Sequence, residues 1–338
     1  MVRKVRLHFA KGLDIEFCDR DRAIKQVYQL AEKGTLYPVV VYGPEGCGKS
    51  AWLLQSVEML KDEGYSVVYF NPVMRLFEVE VGIESFKQKA LEVVKQTVSE
   101  HEIARLVWLA IDFAVEVLKQ KRERLAIVID DVFQYTTPRE AALLVKGLLN
   151  VIEYPPESYE SVVAIAATSE GLSRYEIGKH RWGDLVPMWN MAKRGFEELY
   201  EKISKPKPGF DEVWMFTGGN PGTLRSLYQF NWNTDIFVKK FIDVKGLVGD
   251  FTNRWRKWLE LLIDDIDILA KADFPKELRE ELIAKNLVIY PVTSRDLELW
   301  IDEPPPEKDP ELGIGRYAAW QTPLYREAVK KALLKEHP

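Results

Sequence analysis

Cysteine is almost missing from this chain of 338 residues; only Cys18 and Cys47 occur. Two thiols exclude a disulfide framework and a Cys-rich zinc site, and their scarcity suits a reducing cytoplasm. Each reads as a small buried residue. Histidine is scarce as well, and His8, His101, His180 and His337 show no metal-ligand spacing. Positive charge is not in excess: 47 Lys and Arg against 52 Asp and Glu leave a formal net charge of −5. That balance gives no support for general binding to nucleic acid or to an anionic membrane. Long apolar runs are absent too. The most apolar stretch, 103–118, contains Arg105, Asp112 and Glu116 and reads as a packed helix. Neither a signal peptide nor a membrane span is expected, and the expected location is the cytoplasm. Asn and Gln are few, a composition found in heat-adapted proteins.

What is present is 46% apolar and 29% charged residues, in a chain long enough for two or three packed units. Five short apolar runs read as strands, at 38–42, 66–70, 125–130, 161–167 and 184–187. They are near-continuous rather than alternating, which indicates burial on both faces. Helical spacing fills the gaps, and Ser99 and Glu102 frame a capping box ahead of 103–119. This alternation predicts an α/β fold over 1–189, a parallel sheet flanked by helices. Past residue 190 the pattern turns helical, at 191–203 and 223–228, and predicts a helical lid over 190–248. Residues 249–338 read as two helices, a strand at 287–292, a proline-rich loop, an extended run at 314–320 and a last helix. Thr322 and Pro323 suit the N-cap and first position of that helix. The order is compatible with a winged-helix-like α+β domain.

Gly43-Pro44-Glu45-Gly46-Cys47-Gly48-Lys49-Ser50 matches G-x-x-x-x-G-K-[ST] in full, between an apolar run and a helical stretch. Glycines let successive N–H groups, from Gly43 through Ala51 with Pro44 excepted, turn inward and cradle phosphate at a helix N-terminus. Lys49 is predicted to reach the β- and γ-phosphates, and Ser50 to place its hydroxyl on Mg²⁺. The guanine-specifying N-K-x-D pattern is absent, so ATP and ADP are the expected ligands. Leu125-Ala126-Ile127-Val128-Ile129 then delivers Asp130 and Asp131 to a sheet edge. Asp130 is predicted to hold Mg²⁺, directly or through water. Asp131 is predicted to orient or deprotonate the attacking water.

A further strand ends at Thr168 and Ser169. A polar side chain there suits contact with the γ-phosphate or the water, Thr168 first and Ser169 second; either also serves as an ordinary turn cap. Arg181, ahead of Arg174, is the predicted cation for transferring phosphate charge, in cis or from a neighbouring subunit.

Taken in order, these motifs resemble those of the archaeal ATPase family, usually placed with the STAND ATPases inside the AAA+ grouping. Phe17-Cys18-Asp19-Arg20-Asp21-Arg22-Ala23-Ile24 is similar to the family's F-x-D-R-E-x-E-I motif, and Ala167-Thr168-Ser169-Glu170-Gly171-Leu172 to its G-S-x-x-G-L segment. Leu185-Val186-Pro187 resembles the family's L-x-P, and Thr217-Gly218-Gly219-Asn220-Pro221-Gly222-Thr223-Leu224 its G-G-x-P lid motif. The resemblance implies an AAA+-like fold with Asp19, Arg20 and Pro221 at the nucleotide. Three departures stand out. Pro44-Glu45 replaces an arginine-rich pair, Asp130-Asp131 replaces Asp-Glu, and Gly222 stands where many AAA+ proteins carry a second-sensor arginine, with Arg225 three positions later.

The functional expectation is a slowly hydrolysing ATP-operated switch, in which nucleotide state biases the lid and C-terminal domain and a protein partner reads the result. The alternative is a DNA-binding AAA+ ATPase resembling origin-recognition initiators. Charge argues against it, since residues 246–338 hold 14 Lys and Arg against 18 Asp and Glu.

Overall fold

The chain's first regular structure is a hairpin, β1 (Arg6–Ala10) and β2 (Leu13–Glu16), turned at Gly12. It belongs to the second of two units in the computed structural model, which describes residues 3–71, 76–79, 100–121, 124–133, 136–168 and 171–335. The first unit comprises Met1–Val5, Asp21–Tyr42 and Lys49–Pro187; the second comprises Arg6–Arg20, Gly43–Gly48 and Met188–Pro338. The hairpin was not anticipated, because its strands are short and half polar.

In the first unit, helix α1 (Asp21–Lys33) leads to β3 (Val39–Tyr42), and α2 (Lys49–Asp62) to β4 (Ser66–Asn71). Strand β5 (Leu76–Val79) and helix α3 (Glu100–Lys121) precede β6 (Leu125–Ile129). Then come α4 (Pro138–Glu153), β7 (Val162–Thr168), α5 (Leu172–Gly178) and β8 (Asp184–Pro187). The sheet order is β5-β4-β6-β7-β3-β8, with β5 antiparallel at the edge and the other five strands parallel. All five predicted strands are therefore present. Every residue of β3, β6 and β7 is buried, as helices crossing both faces of a parallel sheet require. Val40, Ile127 and Ala164 pack with Phe113 of α3 and Leu144 and Leu148 of α4 in one core. A capping box starts α4: Thr137 Oγ1 accepts from the Glu140 N–H, and Glu140 Oε2 accepts from the Thr137 N–H at 2.8 Å. Ser99, expected to cap α3, lies outside the described residues.

The second unit continues with α6 (Lys193–Glu201), α7 (Phe210–Thr217), α8 (Pro221–Gln229) and α9 (Thr234–Val244). Helices α10 (Asp250–Asp264) and α11 (Lys276–Ala284), strands β9 (Val288–Ile289) and β10 (Ala319–Trp320), and α12 (Pro323–Lys335) complete it. Phe196, Leu224, Leu259 and Leu324 belong to one core, so the helices of 190–248 and of 249–338 bury their apolar faces together. The strands expected at 287–292 and 314–320 shrink to a two-residue antiparallel ladder. Pro291 has no N–H to extend it, and Ile314 joins only through single bridges to Asp309 and Ala319. Helix α12 does begin at Pro323, but Thr322 is no side-chain cap: its buried hydroxyl makes no hydrogen bond among the described residues. No helix among the described residues is long and apolar enough to cross a membrane. Cys18 and Cys47 are both buried, as expected.

Candidate functional site

Asp130 follows β6 directly, 1% exposed, its N–H donating to Phe70 O at 2.9 Å. Its Oδ2 accepts from Asn71 Nδ2 at 3.0 Å and from Tyr69 Oη at 3.3 Å. The Ser50 hydroxyl, in the first turn of α2, and the Lys49 ammonium lie close enough to the same carboxyl to favour its charged form. Burial first, and the negative charge of Asp131 second, push the Asp130 carboxyl up to about 6, although the Ser50 and Asn71 hydrogen bonds and Lys49 pull the other way. Burial and the Asp130 charge likewise raise the Tyr69 phenol far above its ordinary value, so it stays a donor. Asp130 Oδ1 is buried and makes no hydrogen bond among the described residues. An unsatisfied carboxylate oxygen beside a serine hydroxyl is a hard-oxygen donor set, and it fits Mg²⁺. No cluster of three or more His, Cys, Asp or Glu able to hold a metal occurs among the described residues. Mg²⁺ sites that take one or two carboxylates and complete their shell with phosphate and water do not need one.

Asp131 has φ 52°, a left-handed conformation that Asp tolerates better than most residues. The backbone therefore turns sharply just past the strand, and Asp131 stands half-buried beside Asp130. Thr168, buried, ends β7, the strand between β3 and β6. Its register partner is Tyr42, the last residue before Gly43, while Ile129 pairs with Ala166. Thr168 thus occupies the same sheet edge as Asp130. Ser169 lies outside the described residues.

The two arginines part company. Arg174 is buried with its guanidinium 4.8 Å from the Tyr42 ring centroid. Arg181 is exposed and precedes Asp184, the register partner of Val39. That is the opposite end of the strands from Tyr42, three residue steps along β3 or about 10 Å away. The fold therefore does not bring Arg181 together with Asp130, Asp131 and Thr168 within one chain.

The loop Gly43–Gly48 is built into the second unit. A β-carbon on Gly43 would stand 1.9 Å from Met188 O, and one on Gly46, where φ is 78°, 2.9 Å from Asn220 Oδ1. Only glycine fits either place. Gly46 O accepts from the Gly222 N–H at 2.9 Å, and Glu45 O from Asn220 Nδ2 at 2.9 Å. Pro221 packs near Gly48, its Cγ 4.0 Å from where a β-carbon would be. Arg20 is buried and reaches the loop by donating Nη2 to Cys47 O at 2.6 Å. Asp19 instead packs against Gly195 in the first turn of α6, where a carboxylate is favoured by the helix dipole. Beyond the predicted residues, Asn71, Asn190, Asn220, Asp302 and Gln321 take part. Asn71 had a readable signal as a polar strand end, and Asn220 lay inside a recognised motif; Gln321 had none.

The family model described as an ATPase domain predominantly from Archaea matches residues 17–227. No curated protein matches the chain. Among solved structures, the Walker-type ATPase of Pyrococcus abyssi is similar at 13% identity and a TM-score of 0.47, over 93% of this chain and 96% of that one. The Aeropyrum pernix ORC1 protein, solved in complex with DNA, is similar at 15% identity and 0.43, over 95% and 93%. AMPPCP-bound DnaA from Aquifex aeolicus is similar at 19% identity and 0.35, over 74% and 69%.

Proposed function

The chain belongs to the ATPase domain family found predominantly in Archaea, and from that premise we propose that it is a slowly hydrolysing, ATP-operated switch of the STAND class. The observation that carries the proposal is the pairing of Ser50 with the buried Asp130, whose Oδ1 makes no hydrogen bond among the described residues. In this reading the N–H groups of the loop and the Lys49 ammonium bind the phosphates, while Ser50 and Asp130 hold Mg²⁺. When bound, Mg²⁺ supplies charge neutralisation at the β- and γ-phosphate oxygens. Asp131 orients the attacking water and accepts its proton as the new P–O bond forms and the bond to ADP breaks. Thr168 contacts the γ-phosphate or that water. Arg181 supplies a cation to a neighbouring copy rather than to its own site.

Residues 1–189 act as the nucleotide-binding domain, 190–248 as the lid, and 249–338 as a winged-helix-like domain. ATP and ADP bias the conformations of the lid and C-terminal domain by their differential affinity for them. A short acid at Asp131 is consistent with slow turnover, and the reader of the state is a protein partner in the cytoplasm. DNA binding is the weaker reading. A basic stripe at Arg254, Arg256 and Lys257 is partly consumed, with Arg256 donating to Leu333 O and ion-paired to Glu260.

The test is ATP and ADP binding, turnover and mass by light scattering for wild type and Lys49→Ala. Tight binding, slow turnover and loss of both in Lys49→Ala support the proposal. Wild type that binds no nucleotide, or a salt-sensitive complex with duplex DNA, sinks it.

A further inference from the structure

The carbonyl oxygens of three consecutive loop residues are each tied down within the second unit. Asn220 Nδ2 donates to Glu45 O at 2.9 Å, the Gly222 N–H to Gly46 O at 2.9 Å, and Arg20 Nη2 to Cys47 O at 2.6 Å. A trans peptide is planar, with its C=O and N–H pointing in opposite directions. Fixing those oxygens therefore turns the N–H groups of Gly46, Cys47 and Gly48 away from their holders, as an anion-binding nest requires. The Cys47 N–H also makes a 3.2 Å turn bond to Pro44 O.

The holders are themselves held. Arg20, 3% exposed, donates Nη1 to Asp302 Oδ2 at 2.9 Å and Nη2 also to Trp189 O at 2.9 Å. Asn220 Nδ2 donates in addition to Asn190 Oδ1 at 2.8 Å, and Asn190 Nδ2 to Gln321 O at 2.9 Å. Gln321 Oε1 then accepts from the Glu45 N–H at 2.8 Å. The circuit leaves Glu45 by its N–H and returns by its carbonyl.

We infer that Arg20 and Asn220, backed by Asp302 and Gln321, are positioning residues that set nucleotide affinity through the loop backbone and not by touching phosphate. The inference rests on reading the loop as a phosphate cradle. Its chemical logic is the buried ion pair: a guanidinium already neutralised by Asp302 and spent on two backbone carbonyls is built to shape a loop. Asp302 and Gln321 both lie in the C-terminal region, so whatever displaces that region changes nucleotide affinity, and nucleotide acts back on it to the same degree.

Asp302→Asn separates the two roles of Arg20 by sign. If Arg20 met phosphate directly, removing its counter-charge would tighten ATP binding. If it positions the loop, losing the charge-assisted bond weakens ATP binding, by about fivefold for one hydrogen bond. Gln321→Met, which leaves no buried charge behind, is expected to weaken binding by a similar factor and decides alone if Asp302→Asn does not fold. The second readout needs no ligand: hydrogen exchange of the amides of 43–51 in nucleotide-free protein is expected to quicken in both variants, with the melting temperature of Gln321→Met near that of wild type. Tighter ATP binding by Asp302→Asn overturns the inference. So do wild-type affinity and wild-type exchange in Gln321→Met while wild type binds ATP. Wild type that binds no ATP sinks the nucleotide reading and this inference with it.

Discussion

Ser50, the last residue of the phosphate-loop motif, stands beside Asp130, the acid that closes the buried strand β6. Its hydroxyl favours the ionised carboxylate, yet burial and Asp131 leave the group pushed up to about 6. If Asp130 holds Mg²⁺ as proposed, a proton competes with the cation for it near pH 6.

The Mg²⁺-dependent part of ATP binding is expected to be complete above about pH 7 and to fade as pH falls through about 6. Ser50→Ala removes a bond to the charged form, so the midpoint moves to higher pH. Calorimetric titration of ATP with and without Mg²⁺ across this range checks both; a midpoint that does not move in Ser50→Ala contradicts the pairing.

The same group sets a stability trend. A carboxyl raised in the folded state favours folding fully below its unfolded value of 3.8, and that contribution is lost as pH rises through about 6. Nucleotide-free Asp130→Asn, which carries no charge there, is expected to be more stable than wild type at neutral pH, by on the order of 3 kcal/mol. The gap closes toward pH 4. Denaturant melts at both pH values measure it, and a gap independent of pH would show that the charge is not what is being carried.

Asp131→Asn is expected to keep ATP affinity and to lower turnover by about 10²- to 10⁴-fold, the usual worth of a positioned acid or base. Phosphate release under single-turnover conditions reads this directly. Unchanged release removes Asp131 from the reaction.

Gly43→Ala places a methyl 1.9 Å from Met188 O, against backbone that has nowhere to go. Destabilisation of about 1–3 kcal/mol, or more, is expected, together with lost ATP binding. Gly12→Ala, in a turn with nothing within 4 Å, is the control that isolates the steric effect from backbone preference. Equal melting temperatures for the two variants would discount the close approach.

Arg181→Ala is expected to leave turnover per chain unchanged in dilute solution, because the side chain stands at the end of the strands opposite Tyr42. Any loss should appear only at concentrations where light scattering detects assembly. A loss in the monomer would contradict the register argument.

Much of this was legible because parallel strands are buried on both faces, which writes them into the chain as unbroken apolar runs. The end of such a run located Asp130, and glycine spacing located the loop. The hairpin β1–β2 and the antiparallel β5 escaped because polar residues interrupt them, RLHFA, LDIE and LFEV, and leave no unbroken apolar run. Arg181 looked close to the site in sequence, but a parallel strand carries its start and its end to opposite edges. Gln321 was illegible for a different reason. Its role depends on a hydrogen bond to Glu45, 276 positions away, and no local rule predicts which backbone amide a distant glutamine will meet. Thr322 shows the converse: good local capping chemistry that tertiary burial left unused.

The mesh around Glu45 also bears on how such chains can be cut and recombined. A fragment ending at residue 189 keeps the whole of the recognised motif but loses Asn190, Asn220, Gly222, Asp302 and Gln321, and with them most of what grips the loop. Grafting another protein's C-terminal half onto this N-terminal half would meet the same gap unless the graft brought matching amides. The motif is portable as a string of letters, but the shape that lets it work is shared property of both ends of the chain, and the two must drift together.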